Sequence, residues 1–220
     1  LFNISNKMEA KKLCSLIYTC IKNKIGENGT LIVPTFTYSI SSGQKYDYKN
    51  SKNICGIFSE YIRKKKGTKI YIDPNVSVAA NGGLAEYFTK KPTKNSYGKN
   101  SFFDRFVKKK GKICNINLDS GSTFIHYFER KLKVNYRYDK TFFGYSGKKK
   151  ISSTLYVRKL KEDYLPDFRK FHNEAIKSKY YKKFYLEKSY VGVINIENVE
   201  MIINKNFKKN KSFLILGKND

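Results

Sequence analysis

The sequence predicts an α/β protein with a mixed central sheet, flanked by helices on both faces in three layers, and a smaller α+β part toward the C-terminus. Three observations predict this class. Segments with apolar residues at helical spacing alternate with short apolar runs that are typical of buried strands. Glycine or proline stands at most boundaries between them. The chain has 220 residues, 40% hydrophobic and 15% aromatic, which is enough to bury a sizeable core.

The first helix is predicted over residues 7–25, because apolar residues recur at helical spacing until Gly26. A strand is predicted over 30–36, where Pro34 marks an edge or an exit. The same alternation predicts the next five elements, which are helices over 58–65, 77–88 and 102–109 and strands over 69–72 and 112–116. Helices and strands that take turns in this way form α/β folds, whose ligands bind beyond the strand ends.

After the last of these strands, a polar loop over residues 115–123 leads into a helix that carries His126. The remaining predicted elements are a strand over 154–158, a helix around 165–177, a strand over 191–194 and a short helix over 197–206. The segment Gly144–Lys150 is the nearest feature to a domain boundary. We therefore predict a core over residues 1–145 and a C-terminal subdomain over 146–220 that completes the same domain.

The formal net charge is +27 at pH 7, from 45 Lys and Arg against 18 Asp and Glu. Such a charge is typical of proteins that bind nucleic acids or anionic lipids. Here the basic residues are spread over almost every segment, and only six are arginine, the residue that base-reading proteins use for bidentate contacts. We therefore predict a solvated basic surface with a phosphate-binding groove and no nucleic-acid partner. A non-catalytic protein that binds nucleic acid is kept as an alternative.

The sequence contains no signal for a membrane span, secretion or a metal. No run approaches the roughly 18 to 20 apolar residues of a membrane span, and no apolar signal segment precedes a cleavage site. We expect a cytoplasmic protein. The four cysteines form no C-x-x-C pair, and two histidines do not complete a zinc site at recognisable spacing. Reduced thiols and no metal are the expectation.

The most informative motif is the stretch Thr123–Glu129, which places His126 three residues before Glu129 on the predicted helix. Residues three apart share a helix face, so the carboxylate can orient the imidazole as a general base. The polar, glycine-containing loop over 115–123 lies at the carboxyl end of a strand, where α/β proteins build their sites. A histidine satisfied in the core is the alternative. The second histidine, His172, sits in an ordinary amphipathic helix and is predicted to be structural.

A different enzyme class remains open on the same residues. Cys114 lies late in a predicted strand, shortly before the segment with His126 and Glu129. A cysteine nucleophile with this histidine and glutamate would form a Cys/His/acid triad and an acyl-enzyme, as in a hydrolase. No P-loop, G-x-G-x-x-G or G-x-S-x-G motif occurs, which removes the usual support for nucleotide hydrolysis, dinucleotide redox and serine-hydrolase chemistry.

Five groups of short motifs follow one another along the first two thirds of the chain. They are Gly29–Thr37, Phe58–Glu60 with Arg63, Asp73–Gly82, Ser96–Gly98 with Ser101–Phe106, and Thr123–Glu129. In this order they resemble the aminoglycoside 3-N-acetyltransferase family, over about residues 7–143 of this sequence. That family has a strand before the first helix, so the resemblance implies that this strand lies upstream of Leu1.

The resemblance implies transfer of an acetyl group from acetyl-CoA to a sugar amine, with His126 as general base and Glu129 as its orienting partner. Hydroxyl groups would donate to the thioester carbonyl or to the pantetheine amides, and the candidates are Ser77, Ser122 and Thr123. Acidic side chains would hold the ammonium group or hydroxyls of the acceptor, and the candidates are Glu60, Asp73 and Asp119. No metal is implied. The oligomeric state stays open, with a homodimer as one option.

Departures from the family pattern bear on the acceptor. The family usually has a histidine where this chain has Asp73, and an Arg-Ser pair where it has Ile70-Tyr71. The stretch Tyr136–Phe142 and the C-terminal third resemble members associated with bacterial surface-sugar biosynthesis. The predicted acceptor is therefore a small-molecule amino sugar, nucleotide-linked or a precursor of a surface glycan. An aminoglycoside-modifying resistance enzyme and a degenerate acetyltransferase without activity are alternatives.

Overall fold

The structure, a computed structural model, describes residues 9–160, 165–187 and 189–216. The helices of these ranges are α1 Ala10–Ile25, α2 Ile57–Arg63, α3 Ala85–Phe88, α4 Phe102–Lys108, α5 Phe124–Lys131, α6 Arg169–Lys177 and α7 Ile196–Lys209. α1 ends as predicted, because Gly26 adopts a φ of 74° and its N–H donates to the Lys22 carbonyl. The helices predicted around α2, α4 and α7 are confirmed with small shifts at their ends. No helix among the described residues is long and apolar enough to cross a membrane.

The strands form several small sheets. They are β1 Thr30–Pro34, β2 Lys69–Tyr71, β3 Val78–Gly82, β4 Lys112–Ile116, β5 Arg137–Ser146, β6 Lys149–Arg158, β7 Leu165–Pro166, β8 Lys182–Leu186, β9 Ser189–Asn195 and β10 Ile215–Leu216. The five predicted strands are found as β1, β2, β4 and parts of β6 and β9. Because helices and strands alternate along most of the chain, the predicted mixed α/β class is confirmed.

The described residues divide into two compact units, which we name by their position in the chain. The N-terminal unit comprises the residues up to Arg105 together with Lys140–Leu155. The C-terminal unit comprises Phe106–Asp139 and the residues from Tyr156 onward. The sequence-based boundary at residue 145 remains a prediction.

The N-terminal unit is built on an antiparallel sheet with the strand order β1-β3-β2. Val33 of β1 faces Ala79 of β3, and both are buried with Ile62 of α2 in one apolar cluster. Partly buried apolar residues pack around this cluster; they are Tyr18, Leu31, Phe58, Tyr61 and Ile70. Helices α1 and α2 thus cover the sheet that carries the first motifs of the sequence.

The prediction of a helix over residues 77–88 is wrong for the first half of this range. The structure has strand β3 from Val78 to Gly82, followed only then by the short helix α3. Val78 and the two alanines after it are almost fully buried, as a central strand requires. The sequence did not distinguish this strand from a helix, because small apolar residues suit a buried helix equally well. Gly82 has a φ of 137°, and a Cβ added there would lie 2.1 Å from the Gly29 carbonyl oxygen, so glycine is needed for this close pairing with β1.

The C-terminal unit contains a second antiparallel sheet, with the strand order β4-β9-β8. Ile113 of β4 faces Ile194 of β9, and both are buried. α7 follows β9 directly and packs against it and against α5 and α6. α6 starts later than the helix predicted around residues 165–177, because Leu165–Pro166 is extended. A residue before proline favours this extended conformation. The Asp167 carboxylate then accepts the Arg169 N–H at the start of the helix.

Candidate active site

Helix α5 places His126 and Glu129 on one face, as their spacing predicts. His126 Nδ1 lies 2.6 Å from Glu129 Oε2. The Glu129 side chain is fully buried, whereas 24% of the His126 side chain is exposed. A carboxylate in this position accepts the Nδ1 proton, so that Nε2 carries the lone pair of the neutral ring. The structure thus joins a buried carboxylate to a histidine whose ring reaches the surface.

Apolar packing fixes the rotation of α5. Ile125 and Phe128 are 0% and 1% exposed and define its buried face. The ring of Phe124 packs against Phe106 of α4, with ring centroids 4.5 Å apart. At the start of the helix, the Phe124 N–H donates to Ser122 Oγ at 3.3 Å. These contacts turn the face with the histidine and the glutamate toward the start of β5.

Arg137, the first residue of β5, is the second partner of Glu129. Its Nε lies 2.7 Å from Glu129 Oε2, and only 6% of its side chain is exposed. The contact is an ion pair without an aligned hydrogen bond at this nitrogen. Arg137 Nη1 donates to the Tyr156 carbonyl at 3.2 Å, which holds the guanidinium in place. Because a buried charge is costly unless it is paired, Arg137 is the cation that balances the buried carboxylate.

Tyr136 adds a phenol to the surroundings of the same carboxylate. Burial raises the pKa of Tyr136, and so do the negative charge of Glu129 and the side-chain hydrogen bond to it. The phenol therefore keeps its proton beside this buried carboxylate. Tyr156 donates its hydroxyl to the Val134 carbonyl at 2.8 Å, which fixes the turn between α5 and β5.

The 117–123 loop precedes α5 and carries three more of the predicted site residues. Ser122 and Thr123 are half-buried at the start of the helix. Asp119 has 65% of its side chain exposed, and its Oδ1 lies 3.2 Å from His172 Nε2. The structure thus brings these three residues into the same unit as the histidine–glutamate pair, and it ties their loop to α6 through the second histidine.

Glu60 lies on α2 in the N-terminal unit and is engaged by cations of that unit. Arg63 donates from Nε to Oε2 at 2.8 Å and from Nη2 to Oε1 at 2.6 Å. Lys64 Nζ lies 3.0 Å from Oε1, and Asn53 donates to Oε2 at 2.6 Å. The hydrogen bonds from Arg63 are the largest influence that lowers the pKa of Glu60 to about 2. Both oxygens of this carboxylate already bind neighbouring side chains.

Asp73 follows β2 in the N-terminal unit and is 1% exposed. Its Oδ1 accepts the N–H groups of Asn75 and Val76 at 2.9 and 3.0 Å. Its Oδ2 accepts the Ser96 hydroxyl at 2.7 Å, and the Ser153 hydroxyl donates to Oδ1 at 3.4 Å. Burial raises the pKa of Asp73 despite these hydrogen bonds. All of these partners are neutral groups.

Ser77 precedes β3 in the same unit and is 3% exposed. Its hydroxyl donates to the Thr35 carbonyl at 2.5 Å and accepts the Thr35 hydroxyl at 3.0 Å. Ser77 therefore links the ends of β1 and β3. The predicted site residues are thus divided between the two units: Glu60, Asp73 and Ser77 belong to the N-terminal unit, and the others belong to the C-terminal unit.

Comparison with known sequences gives one family. No curated protein sequence matches the chain. The sequence model of the family described as aminoglycoside 3-N-acetyltransferase matches residues 9–206, which is most of the chain. The chain belongs to the aminoglycoside 3-N-acetyltransferase family. It is therefore an acyltransferase, in a family whose reaction depends on acetyl-CoA.

Solved structures of aminoglycoside acetyltransferases share the fold. The AAC(3)-IVa apoenzyme superposes with a TM-score of 0.78 at 13% identity, covering 98% of this chain and 82% of that chain. AAC-IIIb, solved as a binary complex with CoASH, gives 0.73 at 17% identity, with 89% and 84% covered. Sisomicin-bound AAC-VIa gives 0.74 at 15% identity, with 89% and 85% covered.

Membership in the aminoglycoside 3-N-acetyltransferase family favours acyl transfer over the cysteine hydrolase considered from the sequence. Cys114 lies in β4 opposite Val193 of β9. Cys114 is exposed, but partial desolvation by its neighbours raises the pKa of its thiol, which disfavours the thiolate that a nucleophile needs. Among the residues that the structure describes, no group of three or more His, Cys, Asp or Glu side chains could hold a metal ion.

The sequence analysis missed Arg137 and Tyr136 as partners of Glu129, although both are buried beside it. One signal was available. The chain has 45 basic residues and only six are arginine, so an arginine marks a place where the planar guanidinium is needed. The sequence did not show which carboxylate Arg137 binds. Arg137 starts β5, and its position relative to α5 depends on the turn between the two elements.

Proposed function

We propose that this acyltransferase transfers the acetyl group of acetyl-CoA to the amine of an amino sugar, with His126 as the general base. The observation that carries the proposal is the 2.6 Å contact between His126 Nδ1 and Glu129 Oε2. Glu129 is buried and paired with Arg137, so it is held rigidly in the position that orients the imidazole. This is the arrangement by which a carboxylate orients a histidine base in many acyl-transfer enzymes.

The reaction follows from this arrangement. The amine nitrogen attacks the thioester carbonyl, and His126 Nε2 takes the amine proton as the C–N bond forms. The C–S bond then breaks, and the CoA thiolate takes the proton back from the imidazolium. A thiol has a pKa of about 8.5, so the thiolate leaves with little assistance. Glu129 stabilises the imidazolium while it exists.

Transfer is direct, in a ternary complex of the enzyme, acetyl-CoA and the acceptor. General-base assistance contributes about 10²- to 10⁴-fold, and positioning of the two substrates contributes the rest. We assign Ser122 and Thr123 as donors to the thioester or pantetheine, because both precede His126 at the start of α5. Ser77 shares its hydroxyl with Thr35, which limits what it can donate to a substrate. The fold match to AAC-IIIb, solved with CoASH, supports acetyl-CoA as the donor.

The acceptor that fits best is a nucleotide-linked amino sugar. With a net charge of +27 the protein attracts anions, such as a nucleoside diphosphate, and repels a polycationic aminoglycoside. Two of the acidic residues considered for the acceptor are also engaged elsewhere, since Glu60 binds Arg63 and Asp73 is buried among neutral donors. Asp119 is the most exposed of the three. An acceptor with one amine and an anionic diphosphate group therefore suits a protein with a large positive charge, in which two of the three candidate carboxylates are engaged elsewhere.

The experiment is CoA release from acetyl-CoA with UDP- and dTDP-linked amino sugars, free amino sugars and aminoglycosides as acceptors. We expect turnover on a nucleotide-linked sugar, and a loss of about 10²- to 10⁴-fold in kcat for His126→Ala. Lys131→Ala is the matched control, because Lys131 lies on the same helix with 54% of its side chain exposed. It should keep full turnover.

The outcomes separate the parts of the proposal. Unchanged turnover in His126→Ala would contradict the general-base role. Preferential turnover of aminoglycosides would contradict the acceptor and leave the base in place. No turnover with any acceptor, while acetyl-CoA still binds, would contradict the transferase reaction as proposed.

A further inference from the structure

Helix α6 and the residue before it carry two side chains that reach the 117–123 loop and α5. Phe168 and His172 lie one helical turn apart, since the His172 N–H donates to the Phe168 carbonyl at 2.9 Å. The Phe168 ring lies 5.8 Å from the His126 ring, measured between centroids, and its Cβ faces Gly121. One face of α6 therefore contacts both the loop and the histidine that we assign as the base.

The His172 imidazole binds this loop through its Nδ1 atom. The Ser120 N–H donates to Nδ1 at 3.1 Å, and Ser120 Oγ lies 3.0 Å from the same nitrogen. Because a backbone N–H can only donate, Nδ1 is the unprotonated, accepting nitrogen. The ring proton then sits on Nε2, which faces Asp119 Oδ1 at 3.2 Å. The loop geometry thus selects one tautomer of His172.

The loop depends on this acceptor. Ser120 is 1% exposed, so its N–H has no access to water if the imidazole no longer accepts. Tyr181 makes a second contact with the loop, because its hydroxyl donates to the Leu118 carbonyl at 2.7 Å. Its ring packs edge-on against His172, with ring centroids 5.5 Å apart. His172 and Tyr181 therefore hold two residues of the loop, Ser120 and Leu118.

We propose that His172 is a positioning residue of the acetyl-transfer reaction, which accepts the Ser120 N–H and thereby fixes the loop that leads to His126. The inference rests on the proposed role of His126 as base. Protonation of His172 at Nδ1 would remove the acceptor and set two N–H groups against each other. The loop is held in its active position only while His172 is neutral, so the reaction depends on a second histidine that touches no substrate.

The groups that face the His172 ring are Asp119 from the loop, Lys183 from β8 and Tyr181. Burial is the largest influence and lowers the pKa of His172, Asp119 raises it, and Lys183 lowers it further. Burial is also the main cause that raises the pKa of Tyr181 to about 12, so its phenol is neutral. His172 therefore keeps its accepting form to a lower pH than an exposed histidine.

Two substitutions distinguish the hydrogen-bond acceptor of His172 from the space that its ring fills. His172→Asn places a carbonyl oxygen where Nδ1 stands and does not titrate, whereas His172→Leu fills similar space without an acceptor. We expect kcat for acetyl transfer to fall about 10- to 100-fold in His172→Leu, with little change in the KM for acetyl-CoA, and to recover in His172→Asn. A wild-type kcat in a folded His172→Leu protein would overturn the proposal, as would a folded His172→Asn protein that is as impaired as His172→Leu.

The pH profile gives a second readout. In the wild-type enzyme, protonation of His172 should steepen the acid limb of the kcat/KM profile. In His172→Asn this contribution should be absent, and the limb should be shallower. An identical acid limb in both proteins would contradict the dependence on neutral His172.

A third readout does not use activity, so it distinguishes failure of this inference from failure of the proposed function. The Ser120 amide should be protected from hydrogen exchange in the wild type and in His172→Asn, and should lose protection in His172→Leu. The chain has only two histidines, so NMR titration of their ring signals, assigned with the His126→Ala variant, follows His172 directly. Equal Ser120 protection in all proteins would refute the inference whatever the turnover shows.

Discussion

Glu129 in the C-terminal unit and Asp73 in the N-terminal unit are both buried carboxylates, at 0% and 1% exposure, but their partners differ in charge. Glu129 lies 2.7 Å from the Arg137 guanidinium and 2.6 Å from the His126 ring. Asp73 accepts hydrogen bonds from backbone N–H groups and from hydroxyls, all of them neutral. Burial alone therefore does not identify a catalytic carboxylate in this protein.

The difference has a chemical consequence. A carboxylate balanced by a buried arginine can orient a histidine and stabilise the imidazolium that forms when the base takes a proton. A carboxylate among neutral donors organises the loop around it instead, as Asp73 does through Asn75 and Val76. Under the proposed function, Glu129 is the carboxylate that serves the reaction, and Asp73 has a structural task.

The largest expected effect on stability concerns Arg137. Arg137→Met removes the cation beside Glu129 and leaves a buried carboxylate without its ion pair. We expect the free energy of unfolding to fall by about 3–5 kcal/mol. Urea denaturation followed by circular dichroism measures the change. A loss below about 1 kcal/mol, the range of an exposed ion pair, would contradict the buried pairing.

A smaller effect is expected for Asp73→Asn, which keeps one acceptor oxygen and loses the other. The free energy of unfolding should fall by about 1–2 kcal/mol at neutral pH. Burial raises the pKa of Asp73 in the folded chain. The folded state therefore binds this proton more readily than the unfolded chain, and the wild type gains stability relative to Asp73→Asn as the pH falls through the folded pKa.

Urea titrations of both proteins between neutral and mildly acidic pH test this sign. If the stability difference between the wild type and Asp73→Asn narrows as the pH falls, Asp73 titrates as a charge-paired carboxylate would, and the contrast with Glu129 fails.

The smallest effect is expected for the exposed counterpart of the buried pair. Arg130 on α5 contacts Asp139 of β5 at 2.8 Å, with side chains 30% and 42% exposed. Arg130→Met should lower the free energy of unfolding by at most about 1 kcal/mol, since water and salt screen an exposed ion pair. Arg130→Met is the control for Arg137→Met, because both ion pairs join α5 to β5 and only one of them is buried. The same urea denaturation experiment measures both variants. Equal losses for the two variants would show that burial does not set the value of the pair.

The sequence allowed the local part of the site to be predicted and not the long-range part. The pairing of His126 with Glu129 was predictable because it depends only on helical spacing within α5. The contact of Glu129 with Arg137 depends on the turn between α5 and β5, which periodicity does not report. The burial of Asp73 depends on Ser96 and Ser153, which are distant in sequence.

The same limit applies to the fold and to the second histidine. The α/β class followed from alternating apolar patterns, but the small apolar residues Val78–Ala80 suit a central strand and a buried helix alike. His172 was predicted to be structural. Its contact with Ser120 shows what it holds, and only the folded chain brings α6 to that loop.

The most direct test of the account is the kcat of acetyl transfer in Glu129→Gln and Asp73→Asn, measured side by side on folded proteins. Both substitutions replace a buried carboxylate by its neutral amide. We expect kcat to fall about 100-fold or more in Glu129→Gln, because the amide no longer stabilises the imidazolium or selects the tautomer, and to stay near the wild-type value in Asp73→Asn. An undiminished kcat in Glu129→Gln, or an equal fall in both variants, would contradict the assignment of the reaction to the His126–Glu129 pair.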